Sequence, residues 1–233
     1  MSAMRRPLRI LSVALITAGL VIMLDVAATL LWKEPVSTVY GSIQQSRADG
    51  ELDDVNADFA ADAEVSALQR QIARGAENSE VLSPADSKRL AGLFSKRLEI
   101  GMPIGRIVIP RMNQDDVMLQ GTDDATLREG PGHYPDTALP GEGKTIGVAG
   151  HRTTYLAPFR RINELQKGDE IRVEMPYGTF TYEVEKTDIV DPYDVEVVDD
   201  VGYERIVLTA CHPLYSAAQR YVAFGRLVSA EPE

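Results

Sequence analysis

The residue whose position most clearly indicates chemistry is Cys211, the one cysteine of the chain. It ends a β-rich run, 203–209, and Arg220 stands where the next β-rich run begins. His151 follows a third run, 145–150, that has the apolar character of a buried strand. Thiol acyl transfer needs a nucleophile, a proton carrier for the leaving amine and a group that holds the oxyanion. The three residue types at strand ends therefore predict a thiol acyl-transfer site.

Three histidines could supply the proton carrier: His133, His151 and His212. His212 is adjacent to Cys211, and consecutive residues of an extended chain point to opposite faces, so we do not expect it to reach the thiol. His133 lies in a loop rich in proline and glycine and remains the alternative. The position at the end of a buried strand favours His151 as the general acid and base.

Arg220 is the predicted third member of the site. A guanidinium stays protonated and cannot act as a base, but it can donate to a substrate carbonyl or to the oxyanion, and its charge favours a thiolate. Arg152, next to His151, is the rival arginine, and we expect it at the surface.

Three segments carry a resemblance to a known family: Gly130-Pro-Gly-His-Tyr-Pro, Val148-Ala-Gly-His-Arg-Thr-Thr and Leu208-Thr-Ala-Cys-His-Pro, the last followed by Arg220-Tyr-Val. In this order, behind an apolar N-terminal segment, they resemble a sortase, and most closely the housekeeping class E sortases. The resemblance covers roughly residues 103–229.

The resemblance implies transpeptidation at a C-terminal sorting signal of the LAxTG or LPxTG kind. The cysteine forms an acyl-enzyme at the threonine carbonyl and releases glycine, and an amine of a cell-wall precursor, on a peptidoglycan stem peptide, then attacks the thioester. The implied partners are surface proteins that carry the signal and the precursor amine. Two alternatives stay open: a thiol peptidase that only hydrolyses, and a catalytically silent barrel that serves as a scaffold.

The resemblance also suggests substrate-binding residues. His133 and Tyr134 belong to a rigid loop that is expected to form a wall of the signal groove, with Tyr134 shaping a pocket that prefers Ala over Pro. Thr209 is a further candidate, although the family often has threonine directly before the cysteine, where this chain has Ala210. No cofactor is expected, and no metal ion either, because the histidines lack ligand spacing on one element.

The N-terminal segment predicts membrane attachment. Residues 1–9 are basic and precede an apolar run, 10–32, which is long enough to cross a hydrocarbon core of roughly 30 Å as a helix. The positive-inside rule places the N-terminus in the cytoplasm and the catalytic domain outside the cell, and Trp32-Lys33 fits an anchor at the far interface. The alternative is a cleaved signal peptide with a small-residue site at Ala27-Ala28-Thr29.

The remaining chain divides into a linker, 33–100, and a catalytic domain, 101–233. The linker is expected to be partly helical and extracellular, either as a spacer or as a regulatory segment that covers the active site. In the catalytic domain apolar residues recur at the spacing of β-strands, and about eight short strands are predicted. This favours an all-β fold, a closed eight-stranded barrel with short helices. Its 13 basic and 22 acidic residues give a net charge of −9, which argues against nucleic acid as a partner.

Overall fold

The computed structural model describes residues 5–31, 35–75 and 81–232 of the chain. The strands found there are β1 (Pro103–Ile109), β2 (Gln114–Gln120), β3 (Gly132–His133), β4 (Thr145–Ala149), β5 (Glu170–Met175), β6 (Gly178–Val190), β7 (Arg205–His212) and β8 (Gln219–Glu231). These eight strands of the described chain close into one barrel in the order β1-β2-β3-β4-β7-β8-β6-β5, and β5 pairs with β1. The predicted closed barrel is confirmed.

Local sequence explains the clearest of these elements. The two residues Pro176 and Tyr177 turn the chain between β5 and β6, whose end residues Met175 and Gly178 are paired. Alternate residues of β5 are buried, as in a half-buried strand, whereas every residue of β4 is buried. The barrel core includes Ile104, Ile107, Ile109, Ile171, Val173, Tyr182, Ile206 and Leu208.

The short strand β3 falls in the loop that sequence reasoning assigned to a groove wall. It pairs in parallel with the end of β2 and antiparallel with β4, so it joins the two halves of the barrel. Pro131 and Pro135 flank it closely, and proline cannot donate to a sheet ladder, which accounts for its length of two residues.

The helices are α1 (Arg5–Leu31), α2 (Pro35–Ala61), α3 (Ala63–Gly75), α4 (Pro84–Ser95) and α5 (Asp124–Glu129). Asp62 separates α2 from α3 because its carboxylate accepts the backbone N–H of Glu64 at 2.8 Å and so caps α3. Ser83 caps α4 in the same way, with Pro84 in the first turn, as the sequence predicts.

Helices α2 to α4 lie against the barrel, so the linker region is part of the packed structure. Phe59 of α2 is 1% exposed, and its ring centroid lies 5.3 Å from that of Phe94 and 6.2 Å from that of Tyr177 at the β5–β6 turn. Near the start of α2, the Gln45 side chain donates to the Val117 carbonyl and accepts the N–H of Val117 at 2.7 Å. These contacts fix α2 along one wall of the barrel.

Helix α1 has a different character. Its stretch Leu8–Ala27 has a mean hydropathy of 2.4 and is not buried by the rest of the protein; among the described residues it is the one helix long and apolar enough to cross a membrane. The predicted interfacial pair Trp32-Lys33 and residues 1–4 lie outside the described residues.

Candidate active site

Cys211 lies in β7, between β4 and β8 in the barrel wall. Its cross-strand partner in β8 is Arg220. Directly opposed residues of neighbouring strands point to the same face, and such strands lie about 4.8 Å apart. The Arg220 guanidinium donates through Nη1 to the carbonyls of Ala217 and Gln219, each at 3.1 Å, and the Cys211 thiol on the opposed residue is half-buried.

His151 approaches Cys211 from the opposite side. Strands β4 and β7 run parallel, with Ala149 beside Thr209, and the Gly150 N–H donates to the Thr209 carbonyl at 3.1 Å. Strand β4 ends at Ala149, so His151 lies in the loop that follows, and an extended continuation of the register would bring it level with Cys211. The three predicted catalytic residues therefore come from β7, β8 and the loop at the end of β4.

The shared face is the outer surface of the barrel. Leu208 and Ala210 belong to the core, so the alternation of β7 directs Cys211 outward. In β4, Val148 belongs to the core, and the same alternation directs His151 outward. The thiol, the imidazole and the guanidinium are thus available to a substrate that lies along the outside of the barrel.

The surroundings of His151 favour its neutral form. Burial lowers the pKa of His151, a nearby Arg128 lowers it further, and Asp124 acts in the opposite direction. Its Nε2 is buried and has no hydrogen-bond partner among the described residues. A neutral imidazole with a free nitrogen can take a proton and return it, which is the requirement for a general acid and base near neutral pH.

Tyr155 supports His151 from the loop that follows β4. Its ring centroid lies 5.3 Å from the imidazole and 6.0 Å from the ring of Tyr40 in α2. Gly41 lies so close that a Cβ there would come within 2.8 Å of Leu156 Cγ, so α2 can pack on this loop because residue 41 has no side chain. The linker therefore reaches the segment that holds His151, a contact that sequence reasoning offered as one alternative.

Two of the proposed substrate-binding residues lie next to the nucleophile. The Tyr134 hydroxyl is 2.8 Å from Thr209 Oγ1, and its ring covers Gly147, where a Cβ would approach it to 2.7 Å. Thr209 is two residues from Cys211 on the same strand and therefore shares its face. Thr209 is 5% exposed, whereas Tyr134 is half-buried.

His133 does not join this group. It is 1% exposed, its Nδ1 lies 2.8 Å from Gln120 Oε1 and its Nε2 lies 2.9 Å from the Ala138 carbonyl oxygen. Burial lowers the pKa of His133 as well. Because both ring nitrogens bond inside the protein, we no longer retain His133 as the alternative base or as a substrate-binding residue.

Arg152 differs most from expectation. It is 5% exposed rather than at the surface, and its guanidinium lies 2.9 Å from His212 Nδ1. His212 also contacts the ring of Tyr221, at 5.9 Å between centroids, away from the face of Cys211. The sequence did not predict this cluster of Arg152, His212 and Asn163. The one feature that could have indicated it was an arginine next to a predicted catalytic histidine. No group of three or more His, Cys, Asp or Glu side chains within the described ranges could hold a metal ion.

Comparison with known proteins agrees with this geometry. The Sortase domain family model matches residues 107–228. Sortase D of Bacillus subtilis (strain 168) is 36% identical over 172 residues, which cover 72% of this chain and 82% of the relative. Sortase SrtE2 of Streptomyces coelicolor is 31% identical, with 97% of this chain and 87% of the relative covered.

The solved structures that match this chain are also sortases. Sortase E1 of Streptomyces coelicolor, crystallised with a tripeptide in its active site, matches with a TM-score of 0.55 and 30% identity, over 57% of this chain and 91% of that one. Sortase E of Streptomyces avermitilis matches with a TM-score of 0.53 and 34% identity, over 57% and 93%. With a cysteine, a histidine and an arginine gathered on the outer face of an eight-stranded barrel, the chain belongs to the sortase family of cysteine transpeptidases.

Proposed function

We propose that this sortase cuts a C-terminal sorting signal between threonine and glycine and joins the new carboxyl end to an amine of a cell-wall precursor. The observation that supports this is the strand register, which opposes Cys211 to Arg220 and pairs the end of β4, two residues before His151, with Thr209. A protein substrate needs an open face, because its chain must pass across the nucleophile.

In the first half-reaction His151 takes the proton of the Cys211 thiol as the sulfur attacks the threonine carbonyl carbon. Arg220 donates to the oxyanion of the tetrahedral intermediate, a role for which the guanidinium carries the right charge. His151 gives a proton to the glycine nitrogen as the C–N bond breaks. The products are a thioester on Cys211 and a free amine on the released peptide.

In the second half-reaction the precursor amine attacks the thioester carbonyl and passes its proton to His151. The C–S bond breaks, Cys211 leaves as a thiolate and a new amide bond forms. Water in place of the amine gives hydrolysis, so the same residues serve a transpeptidase and a peptidase. The difference between the two lies in the supply of the amine.

We assign the signal to the LAxTG or LPxTG kind, and the type within the family to class E. Tyr134 supports this assignment because its ring forms a wall beside Thr209 on the face of Cys211. The relatives include both D-type and E-type sortases, so comparison of the two peptides is the direct test of specificity.

We further propose a single membrane anchor. The division is a cytoplasmic segment (1–9), an anchor (10–32), an extracellular linker (33–100) and the catalytic domain (101–233), with membrane lipid as the anchor's partner. The apolar, unburied stretch Leu8–Ala27 supports it. Protease added outside intact cells should digest the barrel while the intact protein sediments with membranes; a soluble form that starts near Thr29 would instead show a cleaved signal.

The central experiment is cleavage of fluorogenic Leu-Ala-x-Thr-Gly and Leu-Pro-x-Thr-Gly peptides, with and without an added amine. We expect a thioester on Cys211 by mass spectrometry and an amide product when the amine is present. The Cys211→Ala variant should lose both turnover and thiol labelling, and the labelling is unambiguous because the chain has one cysteine. Hydrolysis that amines do not divert would favour the peptidase, and retained turnover in the variant would refute the proposal.

A further inference from the structure

Arg152, the residue after His151, contacts the backbone of Cys211. Arg152 Nη1 donates to the Cys211 carbonyl at 3.3 Å and to His212 Nδ1 at 2.9 Å, while Nη2 donates to Asn163 Oδ1 at 2.6 Å. One guanidinium therefore joins the end of β7 to the loop after β4 and to the 3-10 helix Ile162–Glu164.

Within the described residues, the charge of Arg152 has no carboxylate partner. None of the ion pairs found in the described part of the chain includes it, and its Nε is buried without a hydrogen-bond partner there. The guanidinium carbon lies 5.6 Å from the ring centroid of Tyr221, a contact that offsets part of the cost. Burial lowers the pKa of Arg152, because removing the guanidinium from water disfavours its charged form.

The position of this cation is specific to the nucleophile. It bonds the carbonyl of Cys211 itself, so the guanidinium lies within roughly 8 Å of the thiol sulfur by ordinary backbone and side-chain dimensions. His151 and Arg152 are consecutive in the loop after β4, and from that loop Arg152 bonds the backbone of Cys211.

We propose that Arg152 is a positioning residue that clamps the backbone of Cys211 in line with His151, and whose charge favours the thiolate from the inner side. This inference rests on the proposed role of Cys211 as the nucleophile. It assigns the two arginines different tasks: Arg220 acts on the substrate at the outer face, and Arg152 acts on the enzyme from the inner face.

The test uses the full-length protein in detergent, with Arg152→Gln and Arg152→Lys. Two properties are measured: the pH midpoint of Cys211 alkylation by iodoacetamide, which needs no substrate, and kcat and KM for the peptide. Arg152→Gln should raise the alkylation midpoint, as expected when a nearby positive charge is lost. It should also lower kcat by about tenfold or more, with KM little changed because the side chain does not face the groove.

Arg152→Lys separates charge from geometry. It should keep the alkylation midpoint and still lower kcat, because an ammonium cannot bind the Cys211 carbonyl and Asn163 together. Arg161→Gln is the matched control: it removes a positive charge from the same loop, but from an exposed side chain that binds Glu164, and both properties should stay at wild-type values.

Asn163→Ala provides a variant that keeps the charge and removes one support of the guanidinium, in case Arg152→Gln does not fold. It should lower kcat and leave the alkylation midpoint unchanged. The inference would be overturned if Asn163→Ala and a folded Arg152→Gln both kept the wild-type kcat. It would also be overturned if the loss of activity were no larger than the unfolded fraction seen in a thermal melt. Turnover in Cys211→Ala would refute the proposed nucleophile instead, so the two failures can be told apart.

Discussion

Replacement of Phe59 by alanine should destabilise the barrel, although residue 59 precedes the first strand by more than 40 positions. The Phe59 ring is 1% exposed and packs edge-on against Phe94, with Tyr177 on a second side. The guanidinium of Arg97 lies 5.4 Å from its centroid. The substitution removes all of these contacts and leaves a cavity between α2, α4 and the β5–β6 turn.

The magnitude follows from these contacts. A buried Phe→Ala change costs about 3–5 kcal/mol, and an aromatic pair adds about 0.5–1.5 kcal/mol beyond the area it buries. Since the ring makes two aromatic contacts and one with a cation, we expect about 4–5 kcal/mol. For a domain of this size, each kcal/mol lowers Tm by roughly 2–4 °C, so the variant should melt roughly 8–20 °C below wild type.

The measurement is thermal and urea unfolding of the full-length protein in detergent, followed by circular dichroism. Ile43→Ala on the same helix is the control, because Ile43 is 58% exposed and its truncation should change stability by no more than about 0.5 kcal/mol. An unchanged Tm for Phe59→Ala would refute the packing of α2 on the barrel. Loss of helical signal in a separate, earlier transition would show that helices and barrel fold as independent units.

Three further predictions concern the site. Arg220→Lys keeps the charge but loses the planar fork, so peptide cleavage should fall by at least about 10²-fold while Cys211 alkylation changes far less; near-normal cleavage would reassign the oxyanion to backbone amides. Tyr155→Ala should lower kcat more than Tyr155→Phe, because the ring rather than the hydroxyl contacts His151; equal losses would contradict this support. The pKa of His151 is lower in the folded state than in the unfolded state, so the unfolded state binds the proton first. The contribution of neutral His151 to stability is complete above its unfolded pKa, near 6.5, and is lost as the pH falls below that value. In urea unfolding, His151→Gln should therefore lose less stability than wild type between pH 8 and pH 5.

The sequence alone was sufficient for the strand pattern, the barrel and the family. Cys211 and Arg220 could be placed together because each stands at the boundary of a β-rich run, and antiparallel neighbours bring such ends to one edge. The Pro176–Tyr177 turn and the helix caps at Ser83 and Asp123 are likewise local features, because each depends on residues that are close together in the chain. The catalytic roles of these residues remain predictions until the variants are measured.

Tertiary structure decided which polar residues are buried. His133 and Arg152 both stand beside apolar strands, and local periodicity gives a side chain's face but not what covers it. The inward positions of His133 beside Gln120 and of Arg152 beside Asn163 depend on segments that are distant in sequence.

The same limit applies to the linker and to β3. The stripe around Phe59 indicates an amphipathic helix, but the choice of the barrel as its partner depends on Tyr177 and on the absence of a side chain at Gly41. A two-residue strand such as β3 has too few residues to show a period, and it exists because β2 and β4 present unpaired backbone groups on both sides. Sequence periodicity determines which surfaces must be buried, and the three-dimensional arrangement determines which surface buries which.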